Sequence, residues 1–141
     1  MRVTKRIMTL GMLGMFLLSI FAVNTKAAGN YTDTTYKYQF SDYTPYAGWN
    51  TECREKRDYT SSYMKCNQSS GRTYTAWVCA GNTSSEFPIE VGSPKYTFSA
   101  GTTRYMVNYV KERGYNYARI QAWPSGNGYY YVEGLWSPDS I

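Results

Sequence analysis

Five residues set the terms for this chain. In Tyr36-Lys37-Tyr38-Gln39-Phe40, three aromatic rings alternate with two polar side chains. A strand sends successive side chains to opposite faces, so this spacing puts all three rings on one side of a sheet. The same period returns along the chain. Tyr74, Ala76 and Val78 alternate with Thr73, Thr75 and Trp77, and Tyr96 and Phe98 alternate with Thr97 and Ser99. Ala118, Ile120 and Ala122 alternate with Tyr117, Arg119 and Gln121. Tyr, Thr, Val and Trp suit a pleated, half-buried surface. Turn chemistry separates the runs at Ser69-Ser70-Gly71, Ala80-Gly81-Asn82, Val91-Gly92-Ser93-Pro94, Ala100-Gly101, Arg113-Gly114 and Pro124-Ser125-Gly126-Asn127-Gly128. Several short strands divided by regular turns predict an all-β chain, an antiparallel β-sandwich.

Two segments carry more detailed expectations. Thr102–Glu112 reads as a strand near Arg104–Asn108, with a short helix capped at Arg113-Gly114 as the alternative. Tyr115–Trp123 and Tyr129–Leu135 read as the two arms of a last hairpin turning through Gly126-Asn127-Gly128, residues that tolerate positive φ. Proline cannot extend a ladder, so Trp136-Ser137-Pro138-Asp139 ends the return arm.

The N-terminus follows a different pattern. Arg2, Lys5 and Arg6 precede an apolar run from Ile7 to Val23, and small residues Thr25 and Ala27 follow. This is the pattern of a secretory signal peptide over residues 1–27, with the single β domain at 28–141. The apolar run is shorter than the about 20 residues a spanning helix needs, so no integral membrane span is expected once the signal is removed. The charge argument changes with it. The full chain has 15 basic and 10 acidic residues, for a net +5. Cleavage before Ala28 would remove four of the 15 (Arg2, Lys5, Arg6 and Lys26), leaving a net charge of +1. A nearly neutral domain has no electrostatic case for nucleic acid.

Export makes a disulfide plausible for Cys53, Cys66 and Cys79. A hairpin turning at Asp58-Tyr59-Thr60-Ser61 would place Cys53 opposite Cys66. The favoured bridge is therefore Cys53–Cys66, with Cys79 buried and free or joining two chains in an oligomer. The alternative is that all three are small buried apolar residues. No metal site is expected, because no histidine or Cys-x-x-Cys accompanies them.

Catalytic signatures are missing as well. The lack of histidine excludes a Ser-His-Asp triad and a Cys-His dyad. No Gly-x-Ser-x-Gly or phosphate-cradling loop occurs, and no cofactor is implied. Glu52 and Glu55 sit among Arg54, Lys56 and Arg57, and Glu86 and Glu90 flank Phe87-Pro88-Ile89. Such pairs are ordinary on a solvated strand, and Arg54-Glu55-Lys56-Arg57-Asp58 reads as a mixed-charge edge that resists aggregation. The expectation is a protein that is not an enzyme.

Aromatic residues are the remaining functional signal. The chain has 16 tyrosines and 4 tryptophans. Tyr43, Tyr46 and Trp49 cluster in a segment containing proline and glycine. Tyr129, Tyr130 and Tyr131 are consecutive, so at least one faces away from the core. Rings with a polar tip make good contact surfaces for sugars and proteins. Tyr43, Tyr46, Trp49, Tyr129, Tyr130 and Trp136 are the candidate contact residues.

Two segments also carry a resemblance. Asn108-Tyr109-Val110-Lys111-Glu112-Arg113-Gly114-Tyr115-Asn116-Tyr117-Ala118-Arg119 and Gly134-Leu135-Trp136-Ser137-Pro138-Asp139-Ser140 resemble a family of small exported proteins of bacilli and related Gram-positive bacteria, of unknown function. In size, export signal and strand content, the chain is also similar to the lactococcin-type secreted bacteriocins. The expectation is a secreted, extracellular binding module that meets a cell-wall glycan or an envelope protein. An antimicrobial effector and a structural matrix component are the alternatives.

Overall fold

The computed structural model describes residues 28–141, and the expected signal peptide at 1–27 lies outside the described residues. The strands in chain order are β1 (Thr34–Phe40), β2 (Trp49–Asn50), β3 (Arg54–Glu55), β4 (Ser62–Gln68) and β5 (Tyr74–Asn82). They continue with β6 (Ser85–Ile89), β7 (Tyr96–Phe98), β8 (Thr103–Met106), β9 (Tyr117–Pro124) and β10 (Tyr130–Ser137). No helix occurs among the described residues. One sheet has the order β1-β10-β4-β8. The other has the order β2-β9-β5-β6, with β3 also on β9 and β7 also on β5. Every pairing is antiparallel. The all-β sandwich is therefore the fold observed.

The alternation in β1 does what its spacing dictates. Tyr36, Tyr38 and Phe40 are buried, while Lys37 and Gln39 are exposed. The two sheets face each other through these rings. Tyr36 and Tyr74 share a hydroxyl–hydroxyl bond of 2.6 Å across the interior. Phe40 lies 5.1 Å from Trp49, 5.0 Å from Tyr130 and 5.7 Å from Tyr74, centroid to centroid. Tyr74 stacks on Phe98 at 5.5 Å. Such ring pairs contribute about 0.5–1.5 kcal/mol each beyond the area they bury. Ala76, Val78, Ala118, Ile120 and Ala122 complete the same core.

The strands are where the periodicity puts them, but two hairpins are not. β9 and β10 belong to different sheets, so the segment through Gly126 and Gly128 carries the chain from one sheet to the other. Both glycines have positive φ, 96° and 101°. That conformation permits a sharp bend without deciding which strand the chain meets next. The hairpin expected around Asp58–Ser61 is also absent, because β3 pairs with β9 while β4 pairs with β10 and β8. Cys53, just before β3 of one sheet, and Cys66, on β4 of the other, therefore do not face each other and form no disulfide. Thr102–Glu112 contains the strand β8, ending at Met106, and no helix.

The charged run Arg54–Asp58 differs from its expected role as a solvated edge. Arg54 and Lys56 turn inward, while Glu55 and Arg57 pair outside at 2.8 Å. The Arg54 guanidinium lies 5.3 Å from the Trp136 ring centroid and donates to the carbonyls of Trp136 and Thr32. Lys56 is 1% exposed and Asp139 is 0% exposed, and they pair at 2.9 Å. This buried pair joins the chain after β3 to the chain after β10.

Candidate functional site

At the opposite end of β10, two connections meet. The β1–β2 connection spans residues 41–48, and the β9–β10 connection spans residues 125–129. The backbone N–H of Gly128 donates to Asp42 Oδ1 at 2.6 Å, which ties one to the other. Tyr43 and Tyr129 each stand one residue from this bond, 77% and 74% exposed. The turn Pro45–Gly48 is closed by Gly48 N–H on the Pro45 carbonyl at 2.9 Å, and it presents Tyr46 at 92% exposure. Asn50 Nδ2 donates to the Ala47 carbonyl and braces that turn from below.

Under these loops the rings are fixed. Tyr130 is buried, donates its hydroxyl to the Thr73 carbonyl at 3.0 Å, and lies 4.3 Å from the Arg72 guanidinium. Burial raises the pKa of its phenol, against the opposing pull of the Ser125 N–H and the Arg72 cation. Trp49 is buried and donates Nε1 to the Gln39 carbonyl at 3.1 Å. It also supports Trp123, whose ring meets it edge-on at 5.7 Å and stays half exposed.

The six candidate contact residues thus divide evenly. Tyr43, Tyr46 and Tyr129 present their rings to solvent. Trp49, Tyr130 and Trp136 are core residues, and their assignment as contact residues is corrected. Trp136 lies toward the other end of β10, under Arg54 and fully buried. Trp49 and Tyr130 face inward because they continue the pleat of Ala122 and Phe40, their register partners.

Sequence reasoning missed two exposed rings at this surface. Trp123 follows the inward-facing Ala122, so strand alternation alone would have turned it outward. Phe87, on β6, meets Tyr46 edge-on at 5.0 Å, a long-range contact with no local signal.

The cysteines form no disulfide within the chain. Cys66 and Cys79 are both 0% exposed, and all three cysteines are free. Burial, and then the nearby Glu90 carboxylate, push the Cys79 thiol well above the usual range. At 0% exposure Cys79 lies inside the fold and not at a surface where it could join two chains.

A cleft at the far end is lined by Tyr31, Asp33, Tyr63, Tyr105, Ser137 and Asp139. Its two carboxylates do not form an acid–base pair, because Asp139 is committed to Lys56 and to the backbone N–H groups of Asn30 and Arg57. Glu90, one of the carboxylates noted beside β6, accepts from Trp77 Nε1 at 2.9 Å. No cluster of three or more metal-ligating side chains is found among the described residues. No helix among them is long and apolar enough to cross a membrane.

A family model described as a protein of unknown function (DUF2712) matches residues 22–140. The chain belongs to that family. The two segments that carried the resemblance, Asn108–Arg119 and Gly134–Ser140, lie within the DUF2712 match. Comparison with curated proteins and with solved structures returns no match for this DUF2712 domain.

Proposed function

We propose that the protein is an exported, non-enzymatic module that binds cell-wall glycan through Tyr43, Tyr46, Trp123 and Tyr129. One observation carries this reading. Two connections, tied by the Gly128–Asp42 bond, hold large rings in solvent above a packed aromatic core. Isolated exposed aromatics need no explanation, but several on one braced surface mark an interaction site. A tyrosine ring has an apolar face for the C–H face of a sugar and a hydroxyl for its polar rim. The bracing lowers the ordering cost of binding.

The experiment is sedimentation of the purified residues 28–141 with purified cell wall, stripped and unstripped of protein. The expected result is binding to stripped wall that falls at least tenfold in a Tyr43→Ala/Tyr129→Ala double variant of unchanged stability. Binding only to unstripped wall would replace the glycan with an envelope protein. Target-cell killing at the concentrations that saturate the wall would favour an antimicrobial effector, and concentration-dependent polymerisation would favour a matrix component. Wall binding that the double variant retains would overturn the aromatic surface as the site.

A further inference from the structure

A second candidate site lies at the far end of the sandwich, on the outer face of the four-stranded sheet. Trp136, Met64 and Met106 face the core, so their neighbours Ser137, Tyr63 and Tyr105 point the other way. The register sets these three side by side, Ser137 opposite Tyr63 and Tyr63 opposite Tyr105. Thr34 pairs with Trp136, so Asp33 continues the same row beyond Ser137. The row runs from a carboxylate, over one small side chain, to two rings. Strands lie about 4.8 Å apart, so the backbones of Asp33 and Tyr63 stand about 10 Å apart with only a serine between them.

The gap is a cavity of about 190 Å³, and Tyr31 joins this row in lining it. The Tyr31 ring is held in place. Its hydroxyl donates to Asp58 Oδ2 at 3.0 Å, and it packs against Gly29, where a Cβ would collide with it. Tyr63 and Tyr105 form a corner, with centroids 5.7 Å apart and planes at 55°. Among the described residues no lysine or arginine lines the cavity, and Asp33 has no ion-pair partner. Arg54 does not serve as one, because its terminal nitrogens donate to Thr34, Trp136, Asn30 and Thr32. Burial, and then the Asp33 carboxylate, raise the pKa of the Tyr63 phenol, which sets that charge beside the ring.

Ring faces carry negative charge, so rings beside an uncompensated carboxylate attract a cation. The kind of cation follows from the acceptors. A primary ammonium brings three N–H donors. Asp139 is committed to Lys56 and to backbone N–H groups, and the Ser137 hydroxyl to the Asp139 carbonyl. Asp33 is the one lining carboxylate left to accept, so a cation without N–H donors fits best. We propose that this cavity binds a quaternary ammonium group, packed between the rings of Tyr31, Tyr63 and Tyr105 and balanced by Asp33. The volume suits a head group, being below the about 300–1,000 Å³ of pockets that enclose a whole drug-sized ligand. The site lies at the opposite end from the aromatic loops and does not rest on the glycan reading.

The test is titration of the protein with choline at constant ionic strength, followed by the Tyr63 and Tyr105 ring resonances in NMR spectra. These resonances are expected to shift and saturate with a Kd of about 1 mM, the sum of a few weak contacts. Ethanolamine and sodium chloride move them less at the same concentrations. Asp33 and Tyr105 are exposed, so variants there keep the fold. Tyr105→Ala raises Kd about two- to fivefold, as the loss of one exposed cation–π contact requires. Tyr105→Phe retains the affinity, because the ring face makes the contact. Asp33→Asn weakens binding and flattens its dependence on salt. Choline occurs free and as a lipid head group. Co-sedimentation with phosphatidylcholine vesicles, competed by free choline, assigns the head group, and binding of free choline alone assigns a soluble cation. Ring resonances that stay in place, or a Kd that neither Asp33→Asn nor Tyr105→Ala changes, would overturn the site. Tighter binding of ethanolamine would overturn the choice of a quaternary cation.

Discussion

Replacing Asp139 with asparagine tests how the far end of the sandwich is held. Asp139 Oδ1 accepts Lys56 Nζ at 2.9 Å, and Oδ2 accepts the backbone N–H groups of Asn30 at 2.7 Å and Arg57 at 2.9 Å. Lys56 Nζ also donates to the carbonyls of Thr60 at 2.7 Å and Pro138 at 2.8 Å. Every polar atom of the pair is engaged, and both residues are buried. Asparagine keeps the shape but turns an NH2 toward either the ammonium or the two backbone N–H groups. It also leaves the Lys56 charge buried without a counterion. Breaking a buried pair from one side costs about 3–5 kcal/mol. A domain of this size has a total stability of about 5–15 kcal/mol, so the loss is a large fraction of it. With a urea m-value of about 2 kcal/mol/M, the midpoint falls by about 1.5–2.5 M. Tryptophan fluorescence during equilibrium unfolding reads this directly. Adding Lys56→Met to Asp139→Asn removes the stranded charge and recovers part of the loss. The pH dependence gives a second reading. Burial alone would raise the Asp139 pKa, but the Asn30 and Arg57 N–H groups and the Lys56 ammonium together hold it below the usual range. The folded state then binds this proton more weakly than the unfolded state. The stability it contributes is complete above the unfolded value, near pH 4, and is lost as pH falls through the lower folded value. The wild-type midpoint therefore drops more steeply below pH 4 than that of Asp139→Asn. An Asp139→Asn variant within 1 kcal/mol of wild type, with an unchanged acid slope, would refute the buried-pair account.

Two further perturbations separate core from surface. Tyr130→Ala removes a buried ring and its hydrogen bond, and calorimetry is expected to show a loss of about 3–5 kcal/mol. Tyr43→Ala, at an exposed position, should stay within about 0.5 kcal/mol of wild type in the same measurement. A similar cost for both would contradict the division of the aromatic residues. Gly134→Ala places a Cβ against the Lys65 backbone carbonyl and 2.7 Å from the Tyr36 hydroxyl, at the register shift between β10 and β4. That overpacking should cost about 1–3 kcal/mol and lower Tm by at least several degrees. An unchanged Tm would show that the strands separate freely there.

Strands were legible in this sequence and their partners were not. The period of two is local, so Tyr36–Phe40 and Tyr117–Ala122 reveal themselves without the rest of the chain. Turn residues are local too, and Gly71, Gly126 and Gly128 all have positive φ. Whether the next strand returns to the same sheet depends on which distant faces bury each other. That is why the arms of the last expected hairpin belong to different sheets, and why the Cys53–Cys66 bridge failed with the hairpin it assumed. In Arg54–Asp58 residue type concealed the period. Five charged residues in a row suggested a solvated edge, yet the alternation still turned Arg54 and Lys56 inward, where Trp136 and Asp139 receive them. The candidate site shows the same division. In Tyr129-Tyr130-Tyr131 the exposures are 74%, 4% and 60%, as strand alternation requires. Trp49 and Trp136 needed the tertiary structure to place them.

The use of tyrosine on both sides of the surface links stability to the proposed binding. A tyrosine in a core brings a hydroxyl that must be satisfied, and this chain satisfies it across the sandwich. Tyr36 bonds to Tyr74, Tyr38 donates to the Ile120 carbonyl, and Tyr130 donates to the Thr73 carbonyl. These bonds are directional, unlike the packing of leucine or valine, so they fix how the sheets lie under the loops. The Tyr130 hydroxyl also accepts the Ser125 N–H, at the start of the connection that carries Tyr129. A core residue thereby anchors the loop of a surface ring. Tyr130→Phe keeps the ring and removes that anchor together with the bond to the Thr73 carbonyl, so it should weaken wall binding more than its loss of stability accounts for. Wall binding that follows stability alone across Tyr130→Phe and Tyr43→Ala would break this link.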